Sequence, residues 1–286
     1  MALHPDEIAA KIDQHCKLKD GSVKKPDQCL GADVGQMLLA DGNHAWYIGS
    51  DSYCKAAVQN IELWLKKRHS HLPTRTACVF PSGWKPELDV TPELNEGDAN
   101  YYQQQIGVLR WLVELGRIDI ETEVSMLAAY SACPRQGHLA AVLHLYGCLK
   151  KNPRSKMVMD PSLMDHEPVA KPDWRDFYQV DKELIPGDMP KPRGKALQTT
   201  GFVDSDHAGD QVTRRSRTGV LVFCGRALII FYSKKQGSIE TSSFGSELSA
   251  MKTAVELIEG LRYKLRMMGV PLDGPTVHTS RRTTCQ

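Results

Sequence analysis

The sequence predicts an α+β protein in which a hairpin and helices come first and a strand-rich part closed by one long helix comes last. Three observations carry that prediction. Residues Cys29 to Leu39 alternate roughly between apolar and polar, Ala40-Asp41-Gly42-Asn43 offers turn chemistry, and Ala45-Trp46-Tyr47-Ile48 resumes the apolar run. Between Met159 and Gln198 the chain places Pro161, Pro168, Pro172, Pro186, Pro190 and Pro192 among many acids with little apolar periodicity, which reads as a linker. Beyond it, short β-branched and aromatic runs replace the helical stripes.

In the first part, Ser50 or Asp51 can cap a helix whose Tyr53, Ala57, Ile61, Trp64 and Leu65 share one face. Phe80 to Asn100 reads as a long acidic loop, since Pro81-Ser82-Gly83, Pro86 and Pro92 alternate with Glu87, Asp89, Glu93, Glu96 and Asp98. Tyr101 to Lys150 predicts two helices. The first carries Ile106, Leu109, Leu112 and Val113; the second carries Leu139, Val142, Leu143, Tyr146 and Leu149. Both stripes fit core better than binding surface.

In the last part, Gly201-Phe202-Val203-Asp204 opens a strand, Asp210 to Arg217 is a hydrophilic turn, and Gly219 to Cys224 and Ala227 to Tyr232 are two further runs about Gly225-Arg226. Three antiparallel strands are the simplest arrangement. From Glu240 to Met268 an amphipathic helix is expected to bury Leu248, Met251, Val255, Ile258, Leu261 and Leu265, and Gly269 then Pro271 stops it.

Composition sets outer bounds. The chain has 286 residues, 41% apolar and 24% charged, which suffices for one large domain or two ordinary ones with a real core. Its longest apolar stretch, Leu221 to Tyr232, is broken by Gly225-Arg226 and is strand-like, so no membrane span is expected. The first residues, Met1-Ala2-Leu3-His4-Pro5-Asp6-Glu7, lack a basic start and an apolar centre, so an intracellular protein, cytoplasmic or nuclear, is expected. Eight scattered cysteines without a Cys-x-x-Cys pair read as reduced thiols, and His69, His71, His138 and His144 do not join them at zinc-ligand spacing.

The net charge of +2 hides an asymmetry. Lys191 to Gln286 carries 15 basic against 8 acidic residues, a balance of +7, which leaves −5 for the residues before it. A basic C-terminal region fits a module that binds polyanions, and so does an ordinary solvated surface. Arg214, Arg215 and Arg217 fall on the first turn of the last part, and Lys234, Lys235 and Gln236 fall before its helix. Both are places where phosphate contact, or simple solvation, is expected.

Two acids stand out. Asp204 ends an apolar strand segment, and Glu247 stands at the start of the helix stripe. A helix laid across the sheet would bring both carboxylates to one edge, where they repel unless a proton or divalent cation lies between them. Alternatively, Glu247 caps or lines an exposed helix start.

The string Phe202-Val203-Asp204-Ser205-Asp206-His207-Ala208-Gly209-Asp210, then Arg214-Arg215-Ser216-Arg217-Thr218-Gly219, Tyr232-Ser233-Lys234-Lys235-Gln236 and Ser246-Glu247-Leu248, resembles the opening of the ribonuclease H domain of copia-type retrotransposon polyproteins. Leu30-Gly31-Ala32-Asp33-Val34, Tyr47 to Leu65, Tyr101-Tyr102 to Trp111-Leu112, Arg117 to Ile120, His138 and Tyr146 to Leu149 are similar to the end of the reverse transcriptase of such elements. The resemblance implies a remnant of reverse transcriptase over 1–158, with its primer-contacting hairpin and thumb-like helices. A Pro-rich acidic linker over 159–198 and a truncated ribonuclease-H-like domain over 199–286 then follow. It also implies that Asp204 and Glu247 are catalytic, metal-binding acids for magnesium, acting on the RNA strand of an RNA-DNA hybrid.

The departures from that pattern limit the function. No Tyr-x-Asp-Asp string is present, so polymerase activity is not expected. The family's third metal-binding aspartate follows a further strand, whereas here Val277 to Gln286 contains no acid and Asp273 precedes the expected strand. The sequence therefore reads as a catalytically incomplete fragment that retains affinity for nucleic acid. The alternatives are a domesticated protein-interaction module, or an active ribonuclease H if the true C-terminus supplies the missing acids.

Overall fold

The computed structural model describes residues 5–19, 21, 23, 25–76, 79–81, 83–164, 185–272, 274 and 276–280. Helix α1 (Pro5–His15) precedes a four-stranded antiparallel sheet ordered β1-β2-β3-β4, made of β1 (Gln28–Cys29), β2 (Ala32–Leu38), β3 (His44–Gly49) and β4 (Lys156–Met159). The β2–β3 hairpin turns at Asp41-Gly42-Asn43. There the Asp41 carboxylate accepts the Asn43 backbone N–H at 2.9 Å, and Gly42 takes a φ of 84° that a side chain would resist.

Strand β4 has no counterpart among the strands that the sequence predicts. Its four residues, Lys-Met-Val-Met, are too short to show a period, and β3 recruits them from more than 100 residues away in sequence.

Helices α2 (Asp51–Lys66), α3 (Glu96–Glu114), α4 (Glu121–Ala128) and α5 (Gln136–Lys151) pack on one another. Tyr101 to Lys150 thus holds three helices rather than two, because a short turn at Ile118–Ile120 and the eight-residue α4 intervene. Ile61, Leu109, Leu112, Leu127, Val142, Leu145 and Leu149 are fully buried among them. Each such side chain contributes about 1.5–3 kcal/mol on leaving water.

The largest polar side chains of this core find partners. Tyr102 donates to the Leu127 carbonyl at 2.7 Å and Tyr146 to Gln105 Oε1 at 2.9 Å. Buried His138 accepts the Arg135 backbone N–H at Nδ1, which leaves Nε2 to donate to the Pro86 carbonyl, each at 3.0 Å. Helix α2 draws its cap from elsewhere: Ser50 makes no side-chain cap, and Asp33 of β2 accepts the Ser52 N–H at 3.0 Å.

The second sheet comprises β5 (Thr199–Asp206), β6 (Arg217–Cys224), β7 (Ala227–Lys235) and β8 (Val277–Ser280), ordered β7-β6-β5-β8. β5, β6 and β7 are antiparallel neighbours, and β8 adds a fourth strand parallel to β5, reached by way of α6 (Ser243–Met267). Ser242 caps α6 by accepting the Gly245 N–H at 3.2 Å. Arg262, buried late in α6, ties the start of β5 to the approach to β8. It donates to Thr199 Oγ1 at 3.2 Å, Thr276 Oγ1 at 3.3 Å and the Gly274 carbonyl at 3.0 Å.

The face that α6 buries matches the expected stripe at Ile258, Leu261 and Leu265 and departs from it earlier in the helix. Ala250, Ala254, Ile258 and Leu261 pack on Val203, Val220, Val222 and Cys224, whereas Leu248, Met251 and Val255 are 56%, 39% and 44% exposed. The reason is steric: β-branched valines fill the sheet surface, and two alanines let the helix axis approach it closely.

The expected linker is docked at both ends. Arg226 donates its backbone N–H to the Asp160 carbonyl at 3.2 Å, Arg193 donates to Gly269 at 2.8 Å, and Leu197 donates to Pro271 at 2.9 Å. Residues 165–184, the middle of that segment, lie outside the described residues, as do Cys78, Asp273 and Cys285. The six described cysteines are free thiols. Among the described residues no helix is long and apolar enough to cross a membrane.

Candidate functional site

At its far end β5 carries Asp204-Ser205-Asp206, and strand alternation sends Asp204 and Asp206 to one face and Ser205 to the other. Glu247 lies in the first turn and a half of α6, close enough to β5 for the two elements to act on each other electrostatically. Burial pushes the Glu247 carboxyl above its ordinary value, and the Asp204 charge pushes it the same way. The Ser205 backbone N–H and hydroxyl oppose both by favouring the ionised form. Asp204 and Glu247 therefore lie near one end of β5, Asp204 on the strand face turned away from α6 and Glu247 on the helix that covers the other face.

Asp206 is a different kind of acid. It stands opposite Arg217 across β5 and β6, and its Oδ1 accepts the Arg217 backbone N–H. Its carboxylate also lies against Gly209, where a Cβ would meet Oδ2 and would have to push the carboxylate aside. Burial raises the Asp206 carboxyl above the usual value against the lowering pull of Arg217 and Lys85.

Asp210 is likewise internal. Its Oδ1 accepts the N–H groups of Val212 at 3.1 Å and Thr213 at 2.7 Å, and its Oδ2 pairs with Lys235 at 2.9 Å. Although partial burial works in the other direction, these donors hold its carboxyl down at about 2. Two of the four carboxylates in this region are thus scaffold for the β5–β6 turn.

The basic residues divide in the same way. Arg214, which takes a φ of 57°, Arg215 and Lys234 are exposed and free to meet an anion. Lys235 is half-buried and paired with Asp210. The Arg217 guanidinium turns into the junction with α4, donating to Ser125 Oγ at 2.9 Å, and burial lowers its pKa against the raising effect of Asp206, Glu121, Asp210 and Glu123.

Gln236 is buried and donates to Thr218 Oγ1 at 3.1 Å and the Ser246 carbonyl at 2.9 Å, locking α6 to β6. Arg217 and Gln236 therefore spend their donors inside the protein.

The same junction joins the two cores. Glu121 Oε1 accepts the Ser233 N–H at 2.9 Å, Ser125 donates to the Ser233 carbonyl at 2.8 Å, and Thr122 meets the Ser233 hydroxyl at 3.2 Å. The acidic loop touches it as well, through Lys85 to the Gly209 carbonyl at 3.4 Å and Glu87 to the Gln211 N–H at 3.2 Å.

A two-cation site does not fit this donor set. Among the described residues no three histidine, cysteine, aspartate or glutamate side chains converge as metal ligands, and Asp206 is already taken by a backbone donor. No family model matches the chain, and no solved structure matches it either.

Proposed function

We propose that this chain is a fragment of a copia-type retrotransposon polyprotein, spanning the end of a reverse transcriptase and the front of a ribonuclease-H-like domain. In this reading it binds RNA-DNA hybrid through phosphate contacts and does not cleave the RNA strand at a meaningful rate. The observation that carries the reading is that Asp204 on β5 and Glu247 on α6 come near enough to act on each other at one end of β5, in a sheet ordered β7-β6-β5-β8 with three antiparallel strands and a parallel fourth. That arrangement is what the ribonuclease H resemblance of the motifs around both acids implies.

Two-metal hydrolysis needs enough carboxylate oxygens to hold both cations while the attacking and leaving oxygens are aligned. The described acids fall short of that. Hybrid affinity rests instead on Arg214, Arg215 and Lys234, whose action on phosphates needs no metal.

The test is incubation of the full chain with a labelled RNA-DNA hybrid with and without magnesium, beside Asp204→Asn and Glu247→Gln. Salt-sensitive binding without cleavage is expected. Magnesium-dependent cleavage abolished by both substitutions would refute the inactivity, and absence of any binding at low salt would refute the hybrid reading.

A second reading, a domesticated interaction module on the same scaffold, is favoured by the two continuous buried cores. A decaying fragment unfolds broadly at low temperature, whereas a retained module melts cooperatively, so calorimetry separates the two.

A further inference from the structure

The face of the second sheet turned away from α6 carries an apolar row that runs across three strands. Phe202, Leu221 and Phe231 are successive cross-strand partners on β5, β6 and β7, and the Phe223 ring meets Phe202 edge to face with centroids 5.7 Å apart. The next row is Asp204, Gly219 and Ser233. Gly219 leaves this row open, since a Cβ there would find only the Asp204 carbonyl, at 3.8 Å.

Opposite this floor, the segment from Ile118 to Thr122 forms a wall, so that floor and wall enclose a groove ending at Asp204. Ile118 and Leu221, at 37% and 38% exposure, leave apolar surface facing into it.

The charges around the groove are of one sign. Asp119, Glu121 and Asp204 line it, and no lysine or arginine does. Asp119 is neutralised by Arg117 at 2.7 Å, and Glu121 takes the Ser233 N–H at 2.9 Å. Asp204 is exposed, and no hydrogen bond or ion pair among the described residues reaches its carboxylate. An apolar floor next to one uncompensated carboxylate is complementary to a ligand with a hydrophobic body and a single positive charge. A nucleic-acid backbone, by contrast, would be repelled.

We propose that this groove binds an amphipathic organic cation, with an aromatic ring over Phe202, Leu221 and Phe231 and a protonated amine directed at Asp204. The test uses the full chain with tryptamine as probe and indole-3-propionate as its anionic counterpart, followed by ligand-detected saturation-transfer NMR. Tryptamine is expected to bind at least about five-fold more tightly, and Asp204→Asn is expected to weaken it by about two- to five-fold, the worth of one partly exposed ion pair.

Leu221→Lys, which puts a cation on the groove floor, is expected to weaken tryptamine by about ten-fold or more. Ile118→Lys on the facing wall makes the same test if Leu221→Lys does not fold. Equal binding of the two probes, absence of tryptamine binding, or binding unchanged by the lysine substitutions would each overturn the proposal.

Discussion

Asp206 and Arg217 face each other at the open end of β5 and β6, and the Asp206 carboxylate takes the Arg217 backbone N–H while the guanidinium reaches the other way, to Ser125 on α4. One acid thus closes the β5–β6 turn, and one base passes from that turn into the first core.

From this pairing, Asp206→Ala is expected to cost about 1 kcal/mol, because it leaves the Arg217 backbone N–H short of its acceptor. Asp206→Asn keeps an acceptor oxygen and costs less. Asp204→Ala, two residues away on an exposed side chain with no hydrogen bond, is expected to stay within about 0.5 kcal/mol. Urea unfolding of the three variants checks the order; an Asp204 substitution as costly as that of Asp206 would remove the scaffold role given to Asp206.

The acids at the junction also fix a pH dependence. Burial raises the Glu121, Glu123 and Asp206 carboxyls above their ordinary values, so their ionised forms are disfavoured in the folded chain. That cost is present at neutral pH and is relieved as pH falls through the raised folded values toward the ordinary 4.5 of Glu and 3.8 of Asp. Asp210 acts in the other direction: its carboxyl at about 2 stabilises above the ordinary range, and that contribution is lost as pH falls from 3.8 toward 2. The melting temperature is therefore expected to rise from pH 7 to about pH 5 and to fall below about pH 4. Glu121→Gln should flatten the upper limb in a pH series of thermal melts.

The phase of α6 is testable by truncation. Ile258→Ala removes a side chain buried against the sheet and is expected to cost about 2–4 kcal/mol, while Leu248→Ala, on the exposed side, is expected to cost less than about 1 kcal/mol. Chemical denaturation of both variants decides whether the helix sits on its alanine face; equal losses would mean that Leu248 is buried in solution.

Hybrid binding should follow the division among the basic residues. Each phosphate that a side chain no longer neutralises reduces the slope of log affinity against log salt by about 0.9, so replacing Arg214, Arg215 and Lys234 together with alanine is expected to flatten it by about 2–3. Arg217→Ala is expected to lower stability instead and to leave the slope unchanged once folded protein is counted. Anisotropy titrations at several salt concentrations make the comparison.

The β2–β3 hairpin is legible because alternation on both sides of Asp41-Gly42-Asn43 is a local signal, and the antiparallel run β5 to β7 is legible from its β-branched content. Strand β4 and helix α4 are not, since four and eight residues are too few to establish a period without their partners. The phase of α6 misleads for a related reason. Size suggests Leu248, Met251 and Val255 as the core face, but a helix lying on valine-rich strands buries its smallest residues at closest approach.

At the site, the motif strings single out Asp204 and Glu247 as a pair. The withdrawal of Arg217 and Gln236 into hydrogen bonds is invisible in the sequence, because their acceptors on α4 and α6 are distant along the chain.

Because β8 is parallel to β5, the second sheet closes only over a long stretch of chain: the Thr199 and Thr276 hydroxyls, 77 residues apart, meet at 2.6 Å. During synthesis β5 can pair with β6 early, but its other edge waits until α6 and the following residues have emerged. For that interval β5 presents a bare row of amides beside Phe202, an open template for another chain. Arg262, which grips both threonines from α6, is placed to hold that edge once the crossover arrives, so the hazard of this fold lies in the order in which its parts are made.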